Sequence, residues 1–402
     1  MRRRALLGTS AALLAHAARA APVTHEPRDL QRPPRLRVID LPAFPGANAI
    51  WGAIGADTRG SIWAGISALG GETSAHLVEY DPTTARLHDR GNVLNELARL
   101  GLRQPDDMQS KIHTKPVQAA DGWLYFASTD ETGETPQTPA RAGSHLWRLR
   151  PGEGRWDHVH AVPEGLIALA GQASAWPGRW LYTLGLWNHA LSAHDTTTRQ
   201  TRRTEVGAPP GHMSRNLVVD RTGHAYVPRV TLGPAGPEAV LVEYTPRLEI
   251  VSETPLAYYA TNPDPAAATG ITAFAELADG ALIIATGIGY LYRITPRDGG
   301  ASVVPLGWLH PAGTAYTPAL FTWDGVHHLA GLARLANGDW SWVVYDLTAR
   351  LGAAQPFPHG ETERPLLLYG SATRDPQGRF YLGGRRRRGE TRQPVLLQVD
   401  TF

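Results

Sequence analysis

The chain has 402 residues, of which 42% are hydrophobic and 19% charged, with a formal net charge of +2; these values indicate a folded globular protein and argue against disorder. It contains no cysteine, which excludes disulfides, thiolate metal ligands and a cysteine nucleophile. The 42 glycines and 32 prolines follow no collagen-like period, so they favour many short strands joined by tight turns.

The first 20 residues have the features of an export signal. Arginines at positions 2–4 precede a mostly apolar stretch at 5–18, and Ala-Arg-Ala at 18–20 fits a cleavage site. The adjacent arginines favour the twin-arginine (Tat) route, although a Sec signal has a similar pattern. We predict a signal peptide at 1–20, a linker at 21–34, and a periplasmic or secreted protein. The apolar stretch is too short for a bilayer and no second candidate follows, so we expect no transmembrane segment.

Removal of the predicted signal peptide changes the sign of the formal net charge. Residues 1–20 contain four arginines and no acidic residue, so the formal charge falls from +2 to −2. The mature protein therefore lacks the basic excess that would support nucleic-acid binding. We expect a monomer without a nucleic-acid partner.

A repeat runs through the whole mature chain and determines the predicted architecture. It consists of a turn glycine with an aromatic or β-branched strand, as in DTRGSIWAG, and an alternating strand that often ends in a Tyr/Asp-Pro/Thr turn, as in HLVEYDPTT. The first part recurs at 57–65, 120–128, 176–184, 220–228, 277–286, 322–331 and 375–384. Apolar–polar alternation is typical of half-buried strands, and a spacing of roughly 45–60 residues is typical of propeller blades.

We therefore predict an all-β fold, a single seven-bladed β-propeller over residues 35–402. The seventh copy ends at Phe402 with only three strands, while a spare strand at about 35–41 precedes the first copy. Pairing this strand as the outer strand of the last blade removes two sheet edges and closes the ring. The alternative is six blades plus an irregular segment. Only residues 93–100 have a pattern compatible with a helical turn.

Several polar residues fall in loops that share one face of a propeller, at the starts of inner strands or between second and third strands. His113 lies at the start of blade 2, flanked by Lys111 and Lys115, the only two lysines. The other candidates are His145, Gln172, Trp187, Asn188, His189, His212, Arg215, Arg229, Tyr290 and Tyr316. We predict that they form a site at the channel mouth; the alternative is a wet channel lined by polar side chains.

Two kinds of chemistry fit this set of residues. Neutral imidazoles bind divalent metals, and His189 and His212 are the candidate ligands of one zinc or calcium ion, although the lack of clustered carboxylates counts against calcium. A His or Tyr can instead abstract a proton while Arg neutralises a carboxylate. The candidates for substrate binding are Lys111, Lys115, Gln172, Trp187, Asn188 and Arg229.

Two further motifs bear on these alternatives. His158 and His160 lie two residues apart on a predicted outer strand, so we expect both rings on one side, at the surface. The arginine run at 385–388 is expected in a loop of blade 7 on the mouth face, where it can attract an anionic polymer or be solvated. No nucleophile elbow, phosphate-binding loop or dinucleotide fingerprint is present.

Residues 108–230 resemble consecutive blades of exported seven-bladed propeller polysaccharide lyases of the ulvan and oligogalacturonate type. The strings that carry the resemblance are SKIHTKPVQAADGWLYFAS, GSHLWRLRP, GRWLYTLGLWNHALSAHD and GHMSRNLVVDRTGHAYVP. The resemblance implies β-elimination on a uronic-acid-containing glycan, an acidic polysaccharide or oligosaccharide.

By this resemblance, His113 and His145 are base and acid partners, and Arg215 neutralises the substrate carboxylate. Relatives often carry a tyrosine where this chain has Leu186 and Trp187, which leaves the proton-donating role unassigned, with Tyr290 and Tyr316 as candidates. Two alternatives stay open: a non-catalytic propeller that binds a glycan or a protein, and a metal-dependent hydrolase or lactonase. Twelve tryptophans fit sugar stacking as well as core packing.

Overall fold

The chain is a seven-bladed β-propeller, as the repeat predicts. The computed structural model describes residues 32–69, 74–130, 143–163, 165–171, 178–186, 190–207, 214–234, 236–259, 270–359 and 366–401. Within these residues the strands form seven antiparallel sheets of four or five strands each. Six blades are consecutive in the chain, and the seventh combines both ends of it.

In blades 3 to 6 the strands pair in sequence order; in blades 1 and 2 the first two short strands both pair with the third, and in blade 7 the first strand of the chain is added after the last. Blade 1 contains β2 (Ala47–Ala49), β3 (Ile54–Ala56), β4 (Ile62–Ala68), β5 (His76–Asp81) and β6 (Arg86–Asn92). Blade 2 contains β7 (Lys111–Ile112), β8 (Val117–Gln118), β9 (Leu124–Thr129), β10 (Ser144–Leu149) and β11 (Trp156–Val162). Blade 3 contains β12 (Leu166–Gly171), β13 (Trp180–Gly185), β14 (Ala190–Asp195) and β15 (Thr201–Glu205).

The remaining blades follow the same order. Blade 4 contains β16 (Val218–Val219), β17 (Ala225–Gly233), β18 (Gly236–Tyr244) and β19 (Ile250–Pro255). Blade 5 contains β20 (Ile271–Glu276), β21 (Leu282–Thr286), β22 (Tyr290–Thr295) and β23 (Ser302–Trp308). Blade 6 contains β24 (Tyr316–Thr322), β25 (His328–Arg334), β26 (Trp340–Asp346) and β27 (Leu351–Pro356). Blade 7 contains β28 (Leu367–Arg374), β29 (Phe380–Arg388), β30 (Thr391–Asp400) and β1 (Arg35–Ile39).

The turn glycine of the repeat has a structural cause, which blade 1 illustrates. The Asp57 carboxylate accepts hydrogen bonds from the backbone N–H of Arg59 and Ser61, at 2.9 and 3.0 Å, and from Trp63 Nε1 at 3.1 Å. Gly60 occupies the turn with φ +89°, a conformation that favours glycine. The aspartate thus ties the turn to the next strand. Asp220 and Asp375 bond Tyr226 and Tyr381 in the same way in blades 4 and 7.

The hydrophobic core is divided among the spaces between blades. Seven clusters of buried residues occur in the described part of the chain, one at each interface between neighbouring blades. Between blades 1 and 2, Trp63 packs with Trp147 and Trp156. The apolar side chains of the strands therefore pack between neighbouring blades.

Helix α1 (Val93–Arg99) lies at the segment where the sequence indicates a helical turn. It begins after Asn92, whose side chain accepts a hydrogen bond from Asn95 N at 2.9 Å, an N-cap. Val93, Leu94 and Leu97 pack into the cluster between blades 1 and 2. In the described residues, no helix has the length and apolar character needed to cross a bilayer.

The predicted closure of the ring is confirmed. Strand β1 pairs antiparallel with β30, in a register that runs from Arg35 opposite Asp400 to Ile39 opposite Leu396. Val38 packs against the cluster between blades 6 and 7, and Ile39 belongs to the cluster between blades 7 and 1. A segment from the start of the chain thus completes the sheet at its end.

Replacement of one buried residue of this closing strand tests its contribution to stability. Ile39 is 7% exposed, so Ile39→Ala is expected to lower the free energy of unfolding by about 2–4 kcal/mol. The control is Arg37→Ala, two residues away on the same strand, where the side chain is exposed and a change within about 0.5 kcal/mol is expected. Urea unfolding followed by circular dichroism measures both; equal effects would contradict closure by packing.

Candidate functional site

The mouth of the channel collects side chains from five of the seven blades. It is formed at the starts of the innermost segments and the ends of the second strands, which meet at one end of a propeller. We call the mouth cluster the set Trp51, Lys111, His113, Arg215, Tyr316, Arg334, Tyr369 and Arg385. The sequence analysis selected Lys111, His113, Arg215 and Tyr316 from this set, and the structure brings these four together.

His113 lies between β7 and β8, in a narrow cavity of the channel. Trp51, Arg215, Asn216 and Gly370 line the same cavity. Burial lowers the pKa of His113 well below its usual value, and the positive charges of Lys111 and Arg215 lower it further. The imidazole is therefore uncharged at neutral pH, the form that can accept a proton.

Arg215 is held in place by its two neighbours in sequence. Ser214 Oγ accepts a hydrogen bond from Ile271 N at 3.0 Å, and Asn216 Nδ2 donates to the Ile271 carbonyl at 3.0 Å. These bonds attach the segment around Arg215 to the first strand of blade 5. A Cβ on Gly270, where φ is +66°, would lie 2.4 Å from Ser214, so this attachment requires glycine.

Close backbone approach also brings the inner segments of blades 1, 5 and 7 together at the mouth. A Cβ on Gly370 would lie 2.3 Å from the Thr272 carbonyl oxygen, and one on Gly52 would lie 2.4 Å from the Gly370 carbonyl oxygen. Thr272 Oγ1 donates to the Thr317 carbonyl at 2.7 Å, next to Tyr316. The mouth is therefore narrow because its backbones, rather than its side chains, are in contact.

Tyr316 lies at the start of β24, opposite His113 in the order of blades. Burial raises its pKa, and the positive charges of Arg215 and Arg334 oppose that rise. The phenol therefore stays protonated at neutral pH and can donate a hydrogen bond or a proton. Arg334 is at the end of β25 in the same blade.

An aromatic pair with two cations forms the rim above this pocket. The rings of Trp51 and Tyr369 have centroids 4.5 Å apart. Lys111 Nζ lies 5.1 Å from the Trp51 ring and the Arg385 guanidinium 5.2 Å from it. Cations at this distance over an aromatic face are stabilised by the ring, which explains their approach to one another.

The mouth cluster carries positive charge that described residues do not neutralise. No carboxylate of the described residues forms an ion pair with Arg215, Arg334 or Arg385. Buried nitrogens of Trp51 (Nε1), Arg215 (Nε) and Arg334 (Nε) have no hydrogen-bond partner within this part of the chain. The Arg215, Arg334 and Arg385 side chains are half-buried. A partly desolvated positive charge without a counter-ion is costly, so this arrangement is chemically suited to accept an anion.

His145, the second histidine implied by the resemblance, does not lie in the mouth cluster. It faces the interface between blades 1 and 2, where its Nδ1 is 3.0 Å from His158 Nε2 and its ring packs on Trp147. Burial lowers its pKa to about 4. The base and acid pairing of His113 with His145 is therefore not assembled by this arrangement.

A β-bulge separates His158 from His160, which the sequence places on one side. The register shifts so that His158 lies opposite Trp147, whereas His160 lies opposite Leu146. Because Trp147 and Leu146 face different blades, the two imidazoles do too. His160 approaches His194 of blade 3, with ring centroids 6.0 Å apart.

Two other candidates lie away from the mouth cluster. Arg229 is inside β17 rather than at its end, and its guanidinium bonds the Glu253 carboxylate on the outer strand at 2.6 Å. Tyr290 stacks on Tyr258 with centroids 4.4 Å apart, and both contact Trp308 at the rim of blade 5. Five candidates lie outside the described residues: Gln172, Trp187, Asn188, His189 and His212.

The remaining candidate, Lys115, faces the channel below His113. Its Nζ donates to the Ala372 carbonyl at 2.9 Å, and burial lowers its pKa to about 8. It lines both the narrow cavity around His113 and a second cavity beyond it. Lys115 thus lies between the mouth and the rest of the channel.

Sequence reasoning missed Trp51, Arg334 and Tyr369. Trp51 and Tyr369 lie in the innermost segments of blades 1 and 7, so the topological rule that selected His113 would have found both if applied to every blade. Arg385 belongs to the arginine run at 385–388, which lies in strand β29 instead of a loop. Only its first member reaches the Trp51 ring.

Metal ligation stays a prediction for His189 and His212, both outside the described residues. Within the described ranges, no group of three His, Asp or Glu side chains can hold a metal ion.

Comparisons with known proteins support the fold alone. No protein-family model matches the chain, and no curated protein does. Among solved structures, the WD40 repeats of RRP9 are similar, with a TM-score of 0.56 and 11% identity over 91% of this chain and 98% of that one. The propeller domain of Cps50 (Swd1) from Myceliophteria thermophila has a TM-score of 0.57 and 13% identity over 90% and 98%. YCF48 bound to a D1 peptide has a TM-score of 0.53 and 11% identity over 92% and 96%.

The electrostatic coupling within the mouth cluster is testable by NMR. Because the charge of Arg215 disfavours protonation of His113, Arg215→Gln is expected to raise the His113 pKa. Arg229→Gln is the matched control, since Arg229 pairs with Glu253 in the same blade and should leave His113 unchanged. Titration of nitrogen-15 histidine labels, assigned with His113→Gln, measures the shift. An unchanged His113 pKa in Arg215→Gln would show that the two side chains are not neighbours.

Proposed function

We propose that this protein is an exported propeller that binds a uronic-acid-containing glycan at the mouth cluster. The observation that carries the proposal is the group of cations, Arg215, Arg334 and Arg385, which has no carboxylate partner among the described residues. Residues 1–20 supply the export signal in this proposal.

A uronate fits the mouth cluster in both charge and shape. Its carboxylate can accept two parallel hydrogen bonds from a guanidinium, a geometry that suits Arg215 and its unpartnered Nε. The Trp51 and Tyr369 rings offer an apolar surface for the face of a sugar ring. A neutral sugar would make the second contact but leave the charge of the site uncompensated.

A second candidate function, β-elimination at the same site, is favoured by the protonation states of His113 and Tyr316. Neutral His113 can take the proton at C5 of the uronate while Arg215 stabilises the charge that develops on the carboxylate. The electron pair forms the C4–C5 double bond as the C4–O bond breaks, and protonated Tyr316 can supply a proton to the leaving oxygen. The products are an unsaturated uronate and a free hydroxyl.

Binding of the substrate carboxylate would increase the basicity of His113. The low pKa of His113 comes partly from Lys111 and Arg215, and a bound carboxylate offsets both charges. The His113 pKa therefore rises when the anion is present, and the imidazole becomes a stronger base. In this scheme Tyr316 takes the acid role that the resemblance implies for His145.

Isothermal titration calorimetry distinguishes the proposed binding of a uronate from non-specific binding. We expect a uronate oligosaccharide, tried among pectate, alginate, ulvan and glycosaminoglycan fragments, to bind more tightly than the same oligosaccharide with its carboxylates reduced. Arg215→Gln should weaken binding about ten- to hundredfold, because it removes a contact worth about 1.5–3 kcal/mol. Arg229→Gln should bind like the unchanged protein.

The outcomes distinguish the two candidate functions. Equal affinity for the charged and the reduced oligosaccharide, or equal effects of the two arginine substitutions, would contradict uronate binding. The absorbance of unsaturated uronates then tests elimination. His113→Gln should abolish the increase in this absorbance while the affinity for the uronate oligosaccharide is retained. Binding without any such absorbance would assign a binding function to the mouth cluster.

A further inference from the structure

A second cavity lies in the channel on the far side of Lys115 from the mouth cluster. It has a volume of about 190 Å³ and is lined by the later parts of the innermost segments of all seven blades. Lys115 Nζ bonds the Ala372 carbonyl of blade 7 and lies 5.1 Å from the Phe274 ring of blade 5. The lysine therefore presents its charge to this cavity, at the boundary with the mouth.

The charge of Lys115 has no acidic partner within the described residues. Its ammonium has three donors, of which one bonds the Ala372 carbonyl. Glu276 is the acidic residue in the cavity wall, and its carboxylate is already bound by Arg221. Arg221 also donates to the carbonyls of Leu277 and Ala278, which fixes that pair at the far wall.

Arg374, the other cation of the cavity wall, does not neutralise the charge of Lys115. Arg374 donates to the carbonyls of Thr322 and Gly378, at 3.3 and 3.1 Å. The cavity thus contains two cations and one carboxylate that is engaged elsewhere. Lys115 is half-buried, and a partly desolvated ammonium without a counter-ion is costly, so an anion that enters this cavity gains from pairing with it.

The walls of the second cavity determine which uncharged part of an anionic ligand fits there. The apolar residues that line the cavity include Phe274, Phe321, Leu217, Leu282, Leu320 and Val117. A cavity of about 150 Å³ with apolar walls is large enough to hold benzene. A space of about 190 Å³ therefore admits an aromatic or short aliphatic body with one anionic group, but no sugar chain.

We propose that the channel is a binding site for a small monocarboxylic acid with an apolar body, whose carboxylate pairs with Lys115 Nζ and whose body lies against Phe274 and Phe321. This site is separate from the mouth cluster and does not depend on the glycan proposal.

Calorimetry with benzoate as the probe tests the site. Benzoate is expected to bind, and benzyl alcohol, which has the same ring without the charge, is expected to bind at least tenfold more weakly. Lys115→Met keeps the length and apolar character of the side chain and should weaken benzoate binding about ten- to hundredfold. Arg215→Gln should leave it unchanged, because Arg215 belongs to the mouth cluster.

Each opposite result overturns the proposal. Equal benzoate affinity for Lys115→Met would remove the proposed ion pair, and loss of binding in Arg215→Gln alone would place the benzoate in the mouth. Equal affinity for benzoate and formate would remove the role of the apolar walls. None of these results bears on uronate binding, which is measured with other ligands.

A measurement on the unchanged protein covers the case in which Lys115→Met does not fold. The chain has only two lysines, so carbon-13 labelling at lysine Cε gives two signals, and Lys111→Arg identifies the one from Lys115. Benzoate should shift the Lys115 signal, and benzyl alcohol should not. A Lys115 signal that stays fixed at saturating benzoate, or a shift confined to Lys111, would overturn the proposal.

Discussion

The central constraint of this structure is that ring closure forces the innermost segments of seven blades against one another at the channel. The backbones of Gly52, Gly270 and Gly370 approach neighbouring segments so closely that a Cβ at any of them would clash. Side chains at the starts of these segments then have no room to spread. Arg215 and its neighbours are held together by the architecture, against their mutual repulsion, which is the situation in which an anion binds.

Position along the channel determines what each cation can do. At the mouth, Arg215 and Arg385 lie next to Trp51 and Tyr369, so charge and aromatic surface are available to a large ligand from outside. Two residues after His113, Lys115 faces a small, mostly apolar cavity. The spacing of two residues between His113 and Lys115 therefore separates two environments along the same segment: the narrow cavity of the mouth cluster, and a second cavity with mostly apolar walls.

The fold was predictable from the sequence because the repeated residues form a turn that stabilises each blade. Asp57 and Gly60 form a turn that the chain must build again in each blade, so its residues recur at a readable spacing. Ring closure was predictable because three strands at one end of the chain matched a spare strand at the other. His113, Lys111, Arg215 and Tyr316 could be placed at one mouth for the same topological reason.

What sequence reasoning could not supply was side-chain direction. One extra residue in β11 turns His158 and His160 to different blades, and no residue pattern announces that bulge. His145 follows the topological rule but points between blades 1 and 2, where His158 bonds it. Arg229 does not reach the mouth cluster because β17 continues past it. Its partner is instead Glu253 on the outer strand. Trp51 and Tyr369 lack charge, and a search for catalytic residue types passed over them.

The most direct measurement of the central claim is anomalous scattering from crystals soaked in bromide. If the cations of the mouth cluster lack a counter-ion, bromide should occupy a position within contact distance of the Arg215 guanidinium, and its occupancy should fall in Arg215→Gln. Bromide found only on the outer surface, with the mouth empty at Arg215, would contradict the account. In that case the positive charges would be neutralised by the protein itself.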